Sequence, residues 1–314
     1  MINFEQLTRN IKGDVMTDSL HQMIYATDAS AYREMPLAVV YPRDASDVKA
    51  CIGFARENGI TLIPRAAGTS LAGQVVGNGV VVDVSRYMNC VLEINEEEHW
   101  VRVEPGVVLD ELNMRVKSLG LFFGPETSTS NRCCLGGMVG NNSCGSHSLV
   151  YGSTRDHLLE AKVILSNGEE VVLKGLEKKE VLDKMTCDSL EGKIYKCAVE
   201  MLEKNGEEIV QHFPDSALRR RNSGYAIDQL LYSNYFDATR EDKFNLCKLL
   251  AGSEGTLAFV TELKLNLVPL PPKEKAVICV HCRTLEEAFE RNLVALRHHP
   301  VAIELMDQNN LSIT

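Results

Sequence analysis

The sequence predicts a mixed helix–strand protein of the α+β class, and three observations carry that prediction. A strand–helix–strand order between residues 37 and 63 builds a helix-covered layer. A hairpin signal at 162–173 and an alternating, half-buried strand within 256–268 add further strands. A proline-rich break, LVPLPP at 267–272, then separates both from a further strand–helix–strand pattern, because proline cannot donate to a ladder.

In chain order, the first 35 residues read as loosely amphipathic helix and loop, ending at Pro36. LAVVYP (37–42) is a strand. The helix after it spans about 44–58, with Asp44 or Ser46 as N-cap, Val48, Ile52 and Ala55 on one face, and Gly59 as its stop. ITLI (60–63), VVVDV (80–84) and WVRVEPG (100–106) continue as strands. A helix then runs to Gly120 with Leu109, Leu112, Val116 and Leu119 on its buried stripe. In the hairpin, KVIL and EVVL flank Ser166-Asn167-Gly168, where Asn-Gly suits a type I′ turn. Residues 175–209 are charged and helical. Past the break, KAVICV (275–280) and VAIELM (301–306) read as strands. The helix between them opens with a Thr284/Glu287 capping box and carries Phe289, Leu293 and Leu296 on one side. No internal repeat or low-complexity tract interrupts this order.

Composition narrows the function classes. The chain has 314 residues, 33 Lys plus Arg against 43 Asp plus Glu, and a net charge of −10. A surface that acidic repels phosphate backbones and argues against nucleic acid as a partner. No apolar run approaches the roughly 20 residues of a membrane helix, and the N-terminus lacks a signal-peptide core. The ten scattered cysteines therefore read as reduced thiols, with the protein in the cytoplasm, dissolved or peripheral to the inner face of the membrane.

Two glycine clusters carry the chemistry. Pro64 to Gln74 (PRAAGTSLAGQ) follows a strand directly. Small residues let the backbone approach a ligand, and consecutive N–H groups with the hydroxyls of Thr69 and Ser70 suit a diphosphate. It is neither a P-loop nor G-x-G-x-x-G, and the same residues also suit an ordinary turn between strands. The second cluster, GGMVGNNSCG (136–145) with Tyr151-Gly152, places amide and hydroxyl groups among glycines. So long a glycine-rich stretch costs chain entropy and fits a flat heterocycle laid against the backbone.

Other signals have plainer readings. Cys279-Val280-His281-Cys282 has CxxC spacing but no second pair, and strand alternation separates its ligands. Cys133, Cys134 and Cys144 have no iron–sulfur spacing and read as buried thiols. His147 suits either a ligand-side contact or, more simply, a polar loop histidine. The Arg219-Arg220-Arg221 run suits an anionic substrate, a partner protein or a solvated turn alike.

Taken together, YATDASAYR (25–33), PRAAGTSLAGQVVGNGVVVDVSR (64–86), VRVEPGVVLDELN (101–113), LGLFFGPETS (119–128), CLGGMVGNNSCGSHSLVYGSTRDHL (134–158), RRNSGYAIDQL (220–230) and GSEGTLAFVTELKL (252–265) closely resemble the flavoproteins of the vanillyl-alcohol oxidase / p-cresol methylhydroxylase fold. Within that fold they resemble the D-2-hydroxyacid dehydrogenases and the glycolate oxidase FAD subunit. The resemblance implies an FAD-binding domain at 36–270 with subdomains at about 36–95 and 96–270, an N-terminal helical segment at 1–35, and the start of a truncated α/β cap domain at 273–314. It implies that Arg65, Ala66, Ala67, Gly68, Thr69, Ser70, Gly73 and Gln74 hold the FAD diphosphate through backbone N–H groups. Pro125, Thr127, Gly136, Gly137, Asn141, Ser143 and Gly145 would flank the ribityl chain and isoalloxazine, with N–H groups of 136–145 near flavin N1. Tyr151, Gly152 and Val163, with Glu254 and Gly255, would close over the adenosine end. Ala66 stands where many relatives have glycine, which requires a negative φ there. The 65–74 loop has no His or Cys, so the flavin is expected to be non-covalent.

The implied activity is dehydrogenation of a small D-2-hydroxy acid of the D-lactate, glycolate or D-2-hydroxyglutarate type. The base, the carboxylate anchor and any metal are expected outside this chain, and catalytic residues are left unassigned. The electron acceptor stays unidentified, and a C-terminal iron–sulfur module or subunit fits as partner. A non-catalytic flavin-binding or electron-transfer subunit of a larger oxidase, and a nucleotide-binding module without flavin, stay open beside it.

Overall fold

The computed structural model describes residues 2–215, 218, 220 and 224–308. Two sheets organise it. The first is built from β1 (Asp14–Met16), β2 (Ala38–Tyr41), β3 (Leu62–Arg65) and β4 (Val80–Asp83), in the order β1-β2-β4-β3. β4 lies parallel to both β2 and β3, while β1 is antiparallel to β2. AVVY and VVVD are buried at every position because both faces are covered, as a continuous apolar strand demands. On one face lie α1 (Phe4–Asn10) and α3 (Ala45–Asn58), contributing Leu7, Val48, Cys51 and Phe54. On the other, α2 (Ser19–Tyr25) brings Tyr25 against Val39, Tyr41 and Val81. α3 starts where the Asp44 carboxylate accepts from the N–H of Ser46 and Asp47, and ends at Gly59, whose φ is 62°. Pro64 is tolerated in β3 because β3 is an edge strand.

The second sheet is wholly antiparallel. It contains β5 (Val91–Asn95), β6 (Trp100–Val103), β8 (Leu158–Ile164), β9 (Glu170–Lys174) and β10 (Phe259–Asn266), in the order β5-β6-β10-β8-β9. A two-residue ladder joins β7 (Leu121–Phe122) to β11 (Val268–Pro269). α4 (Leu109–Val116), with a 3-10 turn reaching Gly120, packs Leu109, Leu112 and Val116 into the main core. Short helices α5 (Leu135–Asn141), α6 (Ser148–Tyr151) and α7 (Thr154–His157) precede β8. α8 (Lys178–Met185) and α9 (Leu190–His212) follow the hairpin, α9 burying Tyr195, Val199, Leu202 and Ile209 along one stripe. α10 (Asp228–Leu231) and α11 (Cys247–Leu250) lead into β10, and α12 (Leu285–Leu296) closes the described chain.

The two sheets share side chains. Ile164 at the end of β8 and Phe259 at the start of β10 belong to strands of the second sheet but pack in the core of the first. Lys49 of α3 pairs with Glu170 of β9 at 2.9 Å, and Lys162 bridges Glu170 and Glu262 at 3.0 and 3.2 Å.

Several expectations are corrected. Asp14–Met16, read as loop, adds a strand to the first sheet, so that sheet begins before residue 36. β5, placed by sequence in the first subdomain, pairs with β6 in the second sheet. The hairpin turn is not type I′: only Gly168 has positive φ (87°), Gly168 N–H donates to Leu165 O, and Leu165 pairs with Glu169, a three-residue loop with its left-handed residue at the glycine. The strands expected at 275–280 and 301–306 are absent. Neither finds a ladder partner among the described residues, and Val277 and Ile278 are 91% and 84% exposed. α12 does form, with Thr284 Oγ accepting from Glu287 N–H, but the Glu287 carboxylate accepts from Arg283 N–H rather than from Thr284. Phe289, Leu293 and Leu296 share its exposed surface.

Truncating Ile164, a fully buried side chain lent by one sheet to the core of the other, tests the shared core. Ile164→Ala is expected to destabilise the chain by about 2–5 kcal/mol, read as a lower urea midpoint with an unchanged m-value.

Candidate functional site

The site is a single cavity of about 970 Å³, at the upper end of the range for small-molecule sites. One wall is the loop leaving β3, Arg65 to Ser70 with Gln74. Gly68 has φ 63°, whereas Ala66 keeps a negative φ, as an alanine there requires. Among the described residues no hydrogen bond uses the backbone N–H of Gly68, Thr69 or Ser70, so three consecutive donors are left to a ligand.

The facing wall is α5 and the loop after it. Gly137 lies close to Ala66, so that a Cβ on Gly137 would stand 3.4 Å from the Ala66 methyl. This close approach joins the two glycine clusters into one site. Gly136 packs on Pro105 and donates its N–H to the Pro105 carbonyl at 2.8 Å. It is therefore not a donor to a ligand, which corrects one part of the expectation for 136–145. The N–H groups of Gly137, Cys144, Gly145 and Ser146 carry no protein acceptor among the described residues. Asn141 Nδ2 donates to Ser143 Oγ at 3.0 Å, which fixes both polar side chains at the wall.

A third side is the turn 252–255. Gly252 and Glu254 donate their N–H groups to the carbonyls of Val139 and Gly140, both at 2.9 Å, fastening this turn to α5. Behind it the buried Arg155 donates from Nε to Lys248 O at 2.9 Å and from a terminal nitrogen to Ala251 O at 2.6 Å. Glu254 has a left-handed φ of 54°, an uncommon state for a residue with a Cβ. Its carboxylate accepts from Gln74 Nε2 at 3.5 Å across the cavity, and burial pushes its pKa up.

The fourth side is Glu126 to Thr129. A Cβ on Gly145 would overlap the Glu126 carbonyl, so this loop and the second glycine cluster lie backbone against backbone. Glu126 also accepts from the His147 ring and, at 3.4 Å, from Ser146 Oγ. Cys133 and Cys134 line the floor; burial raises both thiols, Cys134 to about 12, so they enter as neutral small hydrophobes.

Of the residues singled out by sequence, Arg65, Ala66, Ala67, Gly68, Thr69, Ser70, Gln74, Thr127, Gly136, Gly137, Asn141, Ser143, Gly145, Glu254 and Gly255 line this cavity. Five do not. Gly73 (φ 79°) packs under the Tyr32 ring, Pro125 and Val163 are buried behind the wall, and Gly152 (φ 66°) abuts Asp156. Tyr151 stands edge-on to Phe122 and covers Gly124. Glu126, Pro105 and Phe259 line the cavity without having been singled out. Glu126 was recoverable, since it stands between Pro125 and Thr127; Pro105 and Phe259 arrive through tertiary packing that no local pattern records. Arg220 and Glu304 also line it, while Arg219 and Arg221 lie outside the described residues. Among the described residues no cluster of three His, Cys, Asp or Glu side chains is arranged to hold a metal, and no helix is long and apolar enough to cross a membrane.

The family model for the FAD binding domain matches residues 36–174. A D-2-hydroxyglutarate dehydrogenase from Pseudomonas putida is 37% identical over 315 residues, covering 99% of this chain and 30% of that protein. The glycolate oxidase subunit GlcD of Bacillus subtilis is 27% identical, covering 93% of this chain and 50% of that subunit. Among solved structures, 6-hydroxy-D-nicotine oxidase from Arthrobacter nicotinovorans superposes with a TM-score of 0.54 at 17% identity, over 83% of this chain and 43% of the other. That last likeness is one of fold. The chain thus spans 30% of the length of the first of these relatives and half of the second.

The raised pKa of Glu254 has a signed consequence. Between the ordinary carboxylate pKa, about 4.3, and its higher folded value, the native state binds more protons than the unfolded one, so stability falls as pH rises through that window. Glu254→Gln is therefore expected to be more stable than the parent at neutral pH, with the gap closing on acidification below the ordinary carboxylate range. Urea midpoints of both proteins, measured from neutral pH down to about pH 3, below the ordinary carboxylate pKa, check this.

Proposed function

We propose that this chain is the flavin-holding portion of an oxidoreductase that dehydrogenates a D-2-hydroxy acid, a reading supported by the match of the FAD binding domain model to residues 36–174 and by the fold likeness to 6-hydroxy-D-nicotine oxidase. The observation that carries the proposal is the meeting of both glycine clusters in one cavity, with Gly137 against Ala66 and unengaged N–H groups on both walls. These residues fit the cofactor. Gly68, Thr69 and Ser70 offer consecutive donors to a diphosphate. Gly137, Cys144 and Gly145 offer donors to the polar edge of a flat ring, and the small side chains between them leave room for the ring itself.

FAD, when bound, supplies an acceptor for hydride at its N5 position. This chain's own residues bind and orient. The 68–70 donors anchor one end of the cofactor, Glu254 and Gln74 close across the cavity, and Glu126 with Ser146 fixes the wall opposite. With no His or Cys in the 65–74 loop, the flavin is held without a covalent bond there. The named relatives support a hydroxy acid of the D-2-hydroxyglutarate or glycolate type. Residues 273–314 are read as the beginning of a substrate domain. A second reading, a flavin-carrying subunit of a larger oxidase, is supported by the glycolate oxidase relative, which is itself named as a subunit.

Purified chain is expected to take up FAD with the yellow absorbance of oxidised flavin and to release it intact on denaturation. A colourless protein that does not retain added FAD overturns the proposal. Gly68→Val places a β-branched residue at φ 63° and into the space of the Arg65 guanidinium. It is expected to abolish flavin retention while the far-UV circular dichroism and solubility stay those of the parent.

A further inference from the structure

Arg65 is the last residue of β3, and its side chain folds back beneath the loop that follows. A Cβ built on Gly68 would lie 2.6 Å from a terminal guanidinium nitrogen and 2.9 Å from the guanidinium carbon, so the guanidinium fills the place a side chain at position 68 would take. Its plane lies over the Tyr25 ring, 4.8 Å from the centroid, and one terminal nitrogen makes a long 3.4 Å bond to the Tyr25 carbonyl. Arg65 lines the cavity.

No carboxylate neutralises this charge. Among the described residues Arg65 forms no ion pair, although two aspartates belong to the segments around it. Asp83, its register partner on β4, is buried and accepts a hydrogen bond on each oxygen: Oδ2 from the Tyr25 hydroxyl at 2.6 Å and Oδ1 from Ser85 N–H at 2.7 Å. Asp28 accepts from Ser30 N–H through Oδ1, and its Oδ2 is buried without a partner. Tyr25 thus does two things at once. Its ring supports the guanidinium, and its hydroxyl occupies the carboxylate that stands closest in register.

We infer that the Arg65 side chain, held on Tyr25 and left unpaired, is a cation placed under the Gly68–Ser70 donors to neutralise the diphosphate of the cofactor. This rests on the reading of 65–74 as the diphosphate site and goes beyond it, since that reading uses backbone donors alone. Arginine suits the task because its charge persists at every relevant pH and its fork matches phosphate oxygens. Tyr25 is a positioning residue.

The test compares FAD with riboflavin, which has the ring but no phosphate, by quenching of flavin fluorescence over a range of ionic strength. The parent is expected to bind FAD with an affinity that falls as salt rises and riboflavin with one that does not. Arg65→Gln is expected to weaken FAD at least tenfold, to flatten its salt dependence, and to leave riboflavin unchanged; Arg65→Lys is expected to fall between. Tyr25→Phe keeps the ring but releases Asp83, and is expected to weaken FAD; adding Asp83→Asn is expected to restore it, because an amide cannot neutralise the guanidinium. Unchanged FAD affinity in Arg65→Gln overturns the inference while the flavin site stands. If Arg65→Gln does not fold, a salt-independent FAD affinity in the parent overturns it equally. A parent that binds neither flavin overturns the function proposed above instead.

Discussion

One strand holds the molecule together. β10 enters at Phe259, which is buried in the core of the small mixed sheet, and four and six residues later places Leu263 and Leu265 in the core of the large antiparallel one. Its alternation is complete, with Phe259, Thr261, Leu263 and Leu265 turned inward, so a one-residue slip would expose all four. Because β10 lies between β6 and β8, any movement of the small sheet against the large one must disturb the centre of the second sheet. The cavity lies along that seam, with Phe259 in its lining, and its shape is set by a junction that cannot loosen locally.

Backbone contact completes what β10 begins. Gly106 lies against the carbonyls of Val84 and Met88, Gly136 against Pro105, Gly145 against Glu126, and Gly255 against Pro64. Each contact removes the depth of a side chain between two segments, and together they bring loops from four parts of the chain around one space. At Gly68 the vacated volume is taken by the Arg65 guanidinium instead. The many glycines of this chain are therefore distributed by contact distance as much as by turn geometry.

What sequence could reveal followed from periodicity and local chemistry. β2, α3 and β4 were legible because an unbroken apolar run, an aspartate cap and a terminal glycine each have one physical meaning. The two glycine loops were legible as candidates for a ligand, the first equally as an ordinary turn, and the structure brings both to one cavity. β1 was not, since Asp14-Val15-Met16 is too short to show a period and is a strand only through pairing with β2. Residues 275–280 failed in the opposite way: KAVICV has strand composition, but a strand is a relation between two segments and no ladder partner lies beside it. At the hairpin, Asn167-Gly168 pointed to a type I′ turn that does not form, because loop length, not the dipeptide, decided it. Glu126 and Pro105 reached the cavity through contacts across 19 and 31 residues of chain respectively, to Gly145 and Gly136, which no local pattern encodes.

The cavity walls also bear on how the chain persists once made. The 65–74 loop and residues 144–146 are poor in internal hydrogen bonds and in side-chain packing, so without a ligand they hold their shape weakly. A ligand that bonds to those donors binds the folded state alone and deepens its stability by mass action, about 2.7 kcal/mol at a hundredfold excess over Kd. Flavin is in that sense a structural component as well as a reagent. Molecules folded around an empty cavity are then the less stable ones and open more readily to proteolysis.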